Sequence, residues 1–97
     1  MIWFVTRHDG AREWAARQGV FWDRELTHWR GEILSPGDRV YGTLPCQIAA
    51  DVCDAGAEYW HLELSLTGIT RGQELTADEL VQAGARFVRY EIKRAGK

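Results

Sequence analysis

The stretch from Met1 to Trp14 constrains the fold more than any other part of this chain, because a strand-like apolar run is followed, after one short polar loop, by a helical pattern. Residues 2–5 are β-branched and aromatic, which is typical of a buried strand. Strong helix formers follow over residues 11–18, and Gly19 closes the run. The stretch therefore predicts a strand, a polar loop and a helix. In open α/β sheets, the carboxyl end of such a strand is the edge where ligands bind.

The same alternation of strands and helices continues along the chain. Two short apolar runs, 20–22 and 25–29, are candidates for the second strand, and we favour 25–29. We predict further strands over residues 38–44, 57–66 and 85–93, helices over 45–55 and 76–83, and loops over 31–37 and 67–75. A capping box, Thr76 to Glu79, opens the last helix. The order β-α-β-β-α-β-α-β predicts an α/β fold of the Rossmann-like class, with a mainly parallel sheet of about five strands and helices on both faces. At 97 residues the chain is expected to form a single domain.

Polar and small residues follow the first and third predicted strands. If these two strands are neighbours, their ends form one crevice, surrounded by Thr6, Arg7, His8, Gly42, Thr43, Leu44 and Pro45. Arginine can hold a phosphate, histidine can exchange protons near neutral pH, and the two helix starts favour anions. Pro45 suits the first position of its helix. The alternative for His8 is a histidine that only hydrogen-bonds its own loop.

Several functional classes are not expected from the sequence. The chain has no glycine-rich phosphate loop and no metal-binding motif, so neither ATP, NAD nor a metal is expected as a cofactor. Cys46 and Cys53 are predicted to be buried thiols, and His61 with Glu63 and Ser65 is predicted to form an ordinary polar strand face. Without a signal peptide or a long apolar span, the protein is expected to be cytoplasmic, with no membrane partner.

Charge and aromatic content bear on the partners of the protein. The net charge of −2 argues against a surface for long nucleic acids. Ten of the twelve basic residues are arginine, which suits a small polyanion in a local pocket, although a compositional bias of the genome would give the same excess. With 45% hydrophobic residues and five tryptophans, the chain is expected to form a homodimer. An aromatic-rich core is the alternative.

Three segments resemble a known family. They are WFVTRHDGAREWAARQG at 3–19, SPGDRVYGTLPCQIAADVCDAGAEYWHLELSL at 35–66 and RGQELTADEL at 71–80. They are similar to the small Csx-type CRISPR-associated proteins of type III systems, the branch numbered sixteen. The resemblance implies a dimeric, CARF-like domain over residues 1–97 that acts as a metal-independent ring nuclease. Such an enzyme binds cyclic tetra-adenylate and cuts it through attack of a ribose 2′-OH, leaving a 2′,3′-cyclic phosphate and ending antiviral signalling.

The resemblance also implies roles for individual residues. Arg7 would bind the phosphate and its transition state, and His8 would donate a proton or orient the reacting groups. The ligand-binding positions would be Thr6, Gly10, Gly42, Thr43, Leu44, Pro45, Ser65 and Arg71. Gln47 departs from the asparagine-like residue expected there. A non-catalytic dimer that sequesters or senses the same cyclic oligoadenylate is the alternative function.

Overall fold

The protein forms an α/β fold with the predicted order of elements. The computed structural model describes residues 1–65 and 75–96. The elements are β1 (Ile2–Val5), α1 (Asp9–Arg17), β2 (Arg24–Leu26), β3 (Arg39–Gly42), α2 (Cys46–Asp54), β4 (Glu58–Glu63), α3 (Ala77–Gln82) and β5 (Arg86–Tyr90). Most of the loop predicted over 67–75 lies outside the described residues.

A five-stranded sheet in the order β2-β1-β3-β4-β5 organises the molecule. Strand β1 pairs in parallel with β2 and with β3, and β3 pairs in parallel with β4. Strand β5 pairs antiparallel with β4. The N–H of Ser65, just after β4, donates to the carbonyl of Ala83 at 2.8 Å. The chain therefore returns to the same end of the sheet before β5 begins, which makes β5 antiparallel. The predicted mainly parallel sheet of five strands is confirmed.

Helices cover both faces of the sheet, as predicted. Because successive strand residues face opposite sides, the neighbours Trp3 and Phe4 belong to different cores. The core on the α2 face comprises Trp3, Val5, Val40, Leu44, Ala49, Val52, Ala57 and Tyr59. The core on the opposite face, beneath α1 and α3, comprises Phe4, Ala11, Trp14, Ala15, Tyr41, Ala77 and Leu80.

The second strand is shorter than predicted. It was expected over residues 25–29, whereas β2 ends at Leu26. Beyond that point Trp29 turns inward and its ring packs edge-on against the ring of Trp3, with centroids 5.5 Å apart. Packing of this large side chain onto the core on the α2 face replaces continued strand pairing.

The ends of α2 and α3 test the local predictions of helix boundaries. Pro45 is the N-cap of α2 rather than its first helical residue, and its carbonyl accepts the N–H of Ala49 at 2.9 Å. The predicted capping box of α3 is confirmed. The Thr76 hydroxyl accepts the Glu79 N–H at 3.1 Å, and the Glu79 carboxylate accepts the Thr76 N–H at 2.9 Å.

The prediction of two buried thiols is wrong. Cys46 is exposed and Cys53 is half-buried. Cys46 is exposed because it is the first residue of α2, which begins where the chain leaves the carboxyl end of β3. Cys53 lies further along α2, where its sulfur accepts the N–H of Ile92 at 3.4 Å.

Candidate functional site

The carboxyl ends of β1 and β3 lie side by side, as the sequence predicted. Their parallel register pairs Val5 with Gly42, so the segments that follow the two strands leave the sheet together. A cavity of about 500 Å³ opens between them, which we call the crevice. All seven residues predicted to surround it contribute to its walls: Thr6, Arg7, His8, Gly42, Thr43, Leu44 and Pro45.

The segment after β1 is a short turn whose side chains reach solvent. The Thr6 N–H donates to the carbonyl of Leu26 at 2.9 Å, and the Thr6 hydroxyl accepts the N–H of His8 at 3.1 Å. His8 is the N-cap of α1, and its carbonyl accepts the N–H of Arg12 at 3.2 Å. Arg7 and His8 are both exposed. The backbone of this turn is therefore held by hydrogen bonds while its cationic side chain and its imidazole face the crevice and solvent.

The segment after β3 begins with a glycine that no other residue could replace without movement of the backbone. Gly42 has φ = +148°, a conformation that side chains disfavour. A Cβ atom built there would lie 2.5 Å from the carbonyl oxygen of Val5. The close approach of β1 and β3 at the crevice therefore depends on glycine at this position.

A buried tyrosine on β4 forms hydrogen bonds with the backbone of the segment after β3. Tyr59, on β4, is only 1% exposed, and its hydroxyl accepts the N–H of Leu44 at 2.9 Å. The same hydroxyl lies 3.3 Å from the carbonyl oxygen of Gly42 and 2.6 Å from Nδ1 of His61. Burial raises the pKa of Tyr59, so the hydroxyl keeps its proton at neutral pH.

A second cavity, of about 660 Å³, adjoins the crevice on the side of β4. We call it the apolar cavity, because most of its lining is leucine, isoleucine and aromatic side chains. His8, Thr43 and Leu44 line both spaces, so they form the boundary between them. The polar groups that the apolar cavity adds are Cys46, Tyr59, His61, Glu63 and Tyr90.

Of the remaining predicted binding residues, Gly10 and Ser65 do not line the crevice. Gly10 is in the first turn of α1, and a Cβ atom there would clash with the carbonyl oxygen of Leu75, so close packing explains the glycine. Ser65 is exposed at the end of β4, beside the end of α3. Arg71 lies outside the described residues. Gln47 is exposed on α2, and its carbonyl accepts a hydrogen bond from Arg94 at 3.2 Å.

Sequence reasoning missed Tyr59 and His61 as site residues. The predicted alternation placed His61 with Glu63 and Ser65 on one polar strand face and did not include Tyr59. In β4, Tyr59 and His61 are two residues apart and share a face, and the Tyr59 hydroxyl lies 2.6 Å from Nδ1 of His61. The missing information was that β4 pairs with β3 in the register Gly42 to His61. This pairing brings a polar strand face to the edge of the predicted crevice, where it forms part of a cavity.

Metal binding and membrane insertion are two further properties of the described residues, 1–65 and 75–96. In this part of the chain, histidine, cysteine and carboxylate side chains do not gather in groups of three that could hold a metal ion. Of the helices described, none is long and apolar enough to cross a bilayer.

Comparison with known proteins identifies the family of the chain. Residues 3–93 match the family described as "Putative CRISPR-associated protein (Cas_VVA1548)". No curated protein and no solved structure matches the chain. Because the match covers nearly the whole length, the chain belongs to this family of CRISPR-associated proteins.

Proposed function

We propose that this member of the Cas_VVA1548 family is a metal-independent ring nuclease that binds and linearises cyclic tetra-adenylate, and so ends type III CRISPR antiviral signalling. The observation that carries the proposal is the parallel pairing of β1 with β3, which joins Arg7, His8 and the Gly42–Pro45 segment in one crevice. Membership of a CRISPR-associated family supplies the biological context. We also propose that the fold is CARF-like, within the Rossmann-like class, and that the protein acts in the cytoplasm.

The crevice has the groups that a phosphodiester needs for binding. The exposed guanidinium of Arg7 can form a forked pair with a phosphate. The first backbone N–H groups of α1 and α2 point toward the same end of the sheet, where the helix dipoles favour negative charge. The hydroxyls of Thr6 and Thr43 can add neutral hydrogen bonds.

The same groups suit cleavage by an internal nucleophile. A ribose 2′-OH attacks the adjacent phosphorus, and the 5′-oxygen of the next nucleotide leaves, so the products carry a 2′,3′-cyclic phosphate and a 5′-OH. Arg7 stabilises the charge that develops on the phosphoryl oxygens. His8, as imidazolium, donates the proton that the leaving oxygen takes up.

A homodimer would match the symmetry of the ligand. Cyclic tetra-adenylate carries four phosphates related by rotation, and a two-fold axis beside the crevice would present two copies of Arg7 and His8 to it. The exposed position of both residues at the edge of the sheet is compatible with such an interface.

The decisive experiment incubates the purified protein with cyclic tetra-adenylate in EDTA and follows the products by chromatography and mass spectrometry. Linear di-adenylate with a 2′,3′-cyclic phosphate is the expected product. Tight binding in a calorimeter with no cleavage would instead support a non-catalytic binder of the same ligand. A protein that neither binds nor cleaves cyclic tetra-adenylate would refute the proposal outright.

A further inference from the structure

The hydrogen-bonded pair of Tyr59 and His61 lines the apolar cavity, and the proposed function has not yet given it a role. His61 lines the apolar cavity, as does His8, so two imidazoles border one space. Thr43 and Leu44, which separate this space from the crevice, lie between them in the wall. Metal-free cleavage of a phosphodiester is accelerated by one group that removes a proton and one that supplies it. The second imidazole supplies the group that the proposed function has so far lacked.

Hydrogen bonding to Tyr59 determines where His61 carries its proton. The Tyr59 hydroxyl has one hydrogen to donate and two lone pairs to accept. It accepts the Leu44 N–H at 2.9 Å, and it lies 3.3 Å from the Gly42 carbonyl, which can only accept. All three contacts become hydrogen bonds only when His61 Nδ1, at 2.6 Å, donates to the hydroxyl and the hydroxyl donates to Gly42. The proton of neutral His61 is then on Nδ1, and Nε2 holds a lone pair.

We propose that His61 is the general base of the cleavage reaction, an inference that rests on the proposed ring nuclease function. Nε2 of His61 removes the proton of the ribose 2′-OH as the bond from O2′ to phosphorus forms. The bond from phosphorus to O5′ breaks, and O5′ takes the proton that His8 carries. The base therefore gains one proton and the acid loses one, and exchange with water restores both for the next turnover. Tyr59 acts as a positioning residue, because its oxygen holds Nδ1–H and so stabilises the imidazolium that forms.

The surroundings of His61 contain few other groups that could titrate with it. On its own strand these are Tyr59 and Glu63, and Arg86 of β5 pairs with the Glu63 carboxylate at 3.1 Å. From β5, the ring of Tyr90 lies 5.5 Å from the imidazole, in edge-on contact. Helix α2 contributes Cys46, and His8 faces the same cavity from the segment after β1.

The test replaces His61 with asparagine, whose amide can keep the hydrogen bond to Tyr59 but cannot take a proton. Glu58→Gln, at the opposite end of the same strand, is the matched control. Cleavage of cyclic tetra-adenylate in EDTA is measured from pH 5 to 9, and affinity is measured by calorimetry. We expect His61→Asn to bind within about threefold of the parent and to cleave about 100-fold more slowly or worse. The rise of the rate with pH on the acidic side should be lost in this variant alone.

A second variant separates catalysis from structure. His61→Ala leaves space in a cavity of about 660 Å³, and added imidazole should restore at least a tenfold increase in its cleavage rate. The assignment is overturned if the parent cleaves and His61→Asn cleaves within threefold of it. It is also overturned if binding falls as much as the rate, or if imidazole restores nothing. A parent that leaves the ligand intact refutes the proposed function itself, which is a different result.

Discussion

The two strand ends that form the crevice differ in how they are held. After β1, the Thr6–His8 turn is anchored by backbone hydrogen bonds, while Arg7 and His8 stay exposed. After β3, Gly42 packs against the backbone of β1, and the buried hydroxyl of Tyr59, on β4, accepts the N–H of Leu44. The end of β3 is therefore built into the core, whereas the end of β1 presents side chains to the solvent.

This difference indicates that the carboxyl ends of β1 and β3 have different functions. A buried network with little freedom can set the width of the crevice and the position of backbone groups. Exposed side chains on a short turn can be replaced at little cost to folding, so their identity reflects what they contact. Substitutions after β1 should therefore change activity with little effect on stability, whereas substitutions that affect the end of β3 should change stability first.

The largest effect is expected for His8→Ala. If His8 donates the proton to the leaving oxygen, the variant should cleave cyclic tetra-adenylate about 100- to 10,000-fold more slowly. Its affinity should fall less than that of Arg7→Ala, which removes the charge that binds phosphate. Because His8 is exposed, its free energy of unfolding should change by less than about 1 kcal/mol. Single-turnover kinetics and calorimetry measure these effects, and cleavage by His8→Ala at the parental rate would show the catalytic role to be wrong.

Gly42→Ala should produce the largest loss of stability. The new Cβ atom would lie 2.5 Å from the Val5 carbonyl oxygen in a conformation that alanine disfavours, so we expect the free energy of unfolding to fall by about 2–4 kcal/mol. Gly19→Ala is the matched control. Gly19 also has a positive φ, but its Cβ atom would meet nothing within 4 Å, so the expected loss is about 1 kcal/mol. Equal losses in urea denaturation would refute the argument from close approach.

Tyr59→Phe should have an intermediate effect on stability and should also slow cleavage. It leaves the buried N–H of Leu44 without its acceptor, which costs about 1–3 kcal/mol. Tyr41→Phe, at a buried tyrosine on β3, is the control, and among the described contacts the Tyr41 hydroxyl makes no hydrogen bond. We expect that control to change the free energy of unfolding by less than about 0.5 kcal/mol. Two variants of equal stability would mean that Tyr59 does not hold the end of β3.

The smallest effect on stability is expected at Asp38, which lies at the end of the sheet opposite the crevice. Asp38, just before β3, accepts hydrogen bonds from the Met1 ammonium at 2.8 Å and from the Ser35 N–H at 3.0 Å. These partners hold the pKa of Asp38 below its usual value of 3.8. The stabilisation is therefore complete above about pH 4 and is lost as the pH falls through the lower, folded-state pKa.

Thermal unfolding of Asp38→Asn measures that contribution. We expect a lower Tm than the parent at pH 7 and a difference that shrinks toward pH 2, with cleavage unchanged. Asp54→Asn, at an exposed carboxylate of α2, should leave the Tm close to parental at both pH values. A Tm difference for Asp38→Asn that stays constant from pH 7 to pH 2 would contradict the assigned pKa.

Local chemistry was sufficient to predict most elements of the fold. The apolar run Ile2–Val5, the helix formers of α1 and the Thr76–Glu79 capping box act over a few residues, so their structures follow from neighbouring side chains. The predicted proximity of the ends of β1 and β3 also succeeded, because alternating strands and helices favour parallel neighbours.

The remaining features were decided by contacts between residues far apart in the sequence. Trp29 lies outside β2 because its ring packs against Trp3. Cys46 is exposed because α2 begins at the carboxyl end of the sheet. The amino-acid pattern placed His61 on a polar strand face with Glu63 and Ser65. Only the pairing of β4 with β3 brought that face to Gly42 and Leu44. Hydrogen bonds across strands depend on register, and register is a property of the assembled sheet.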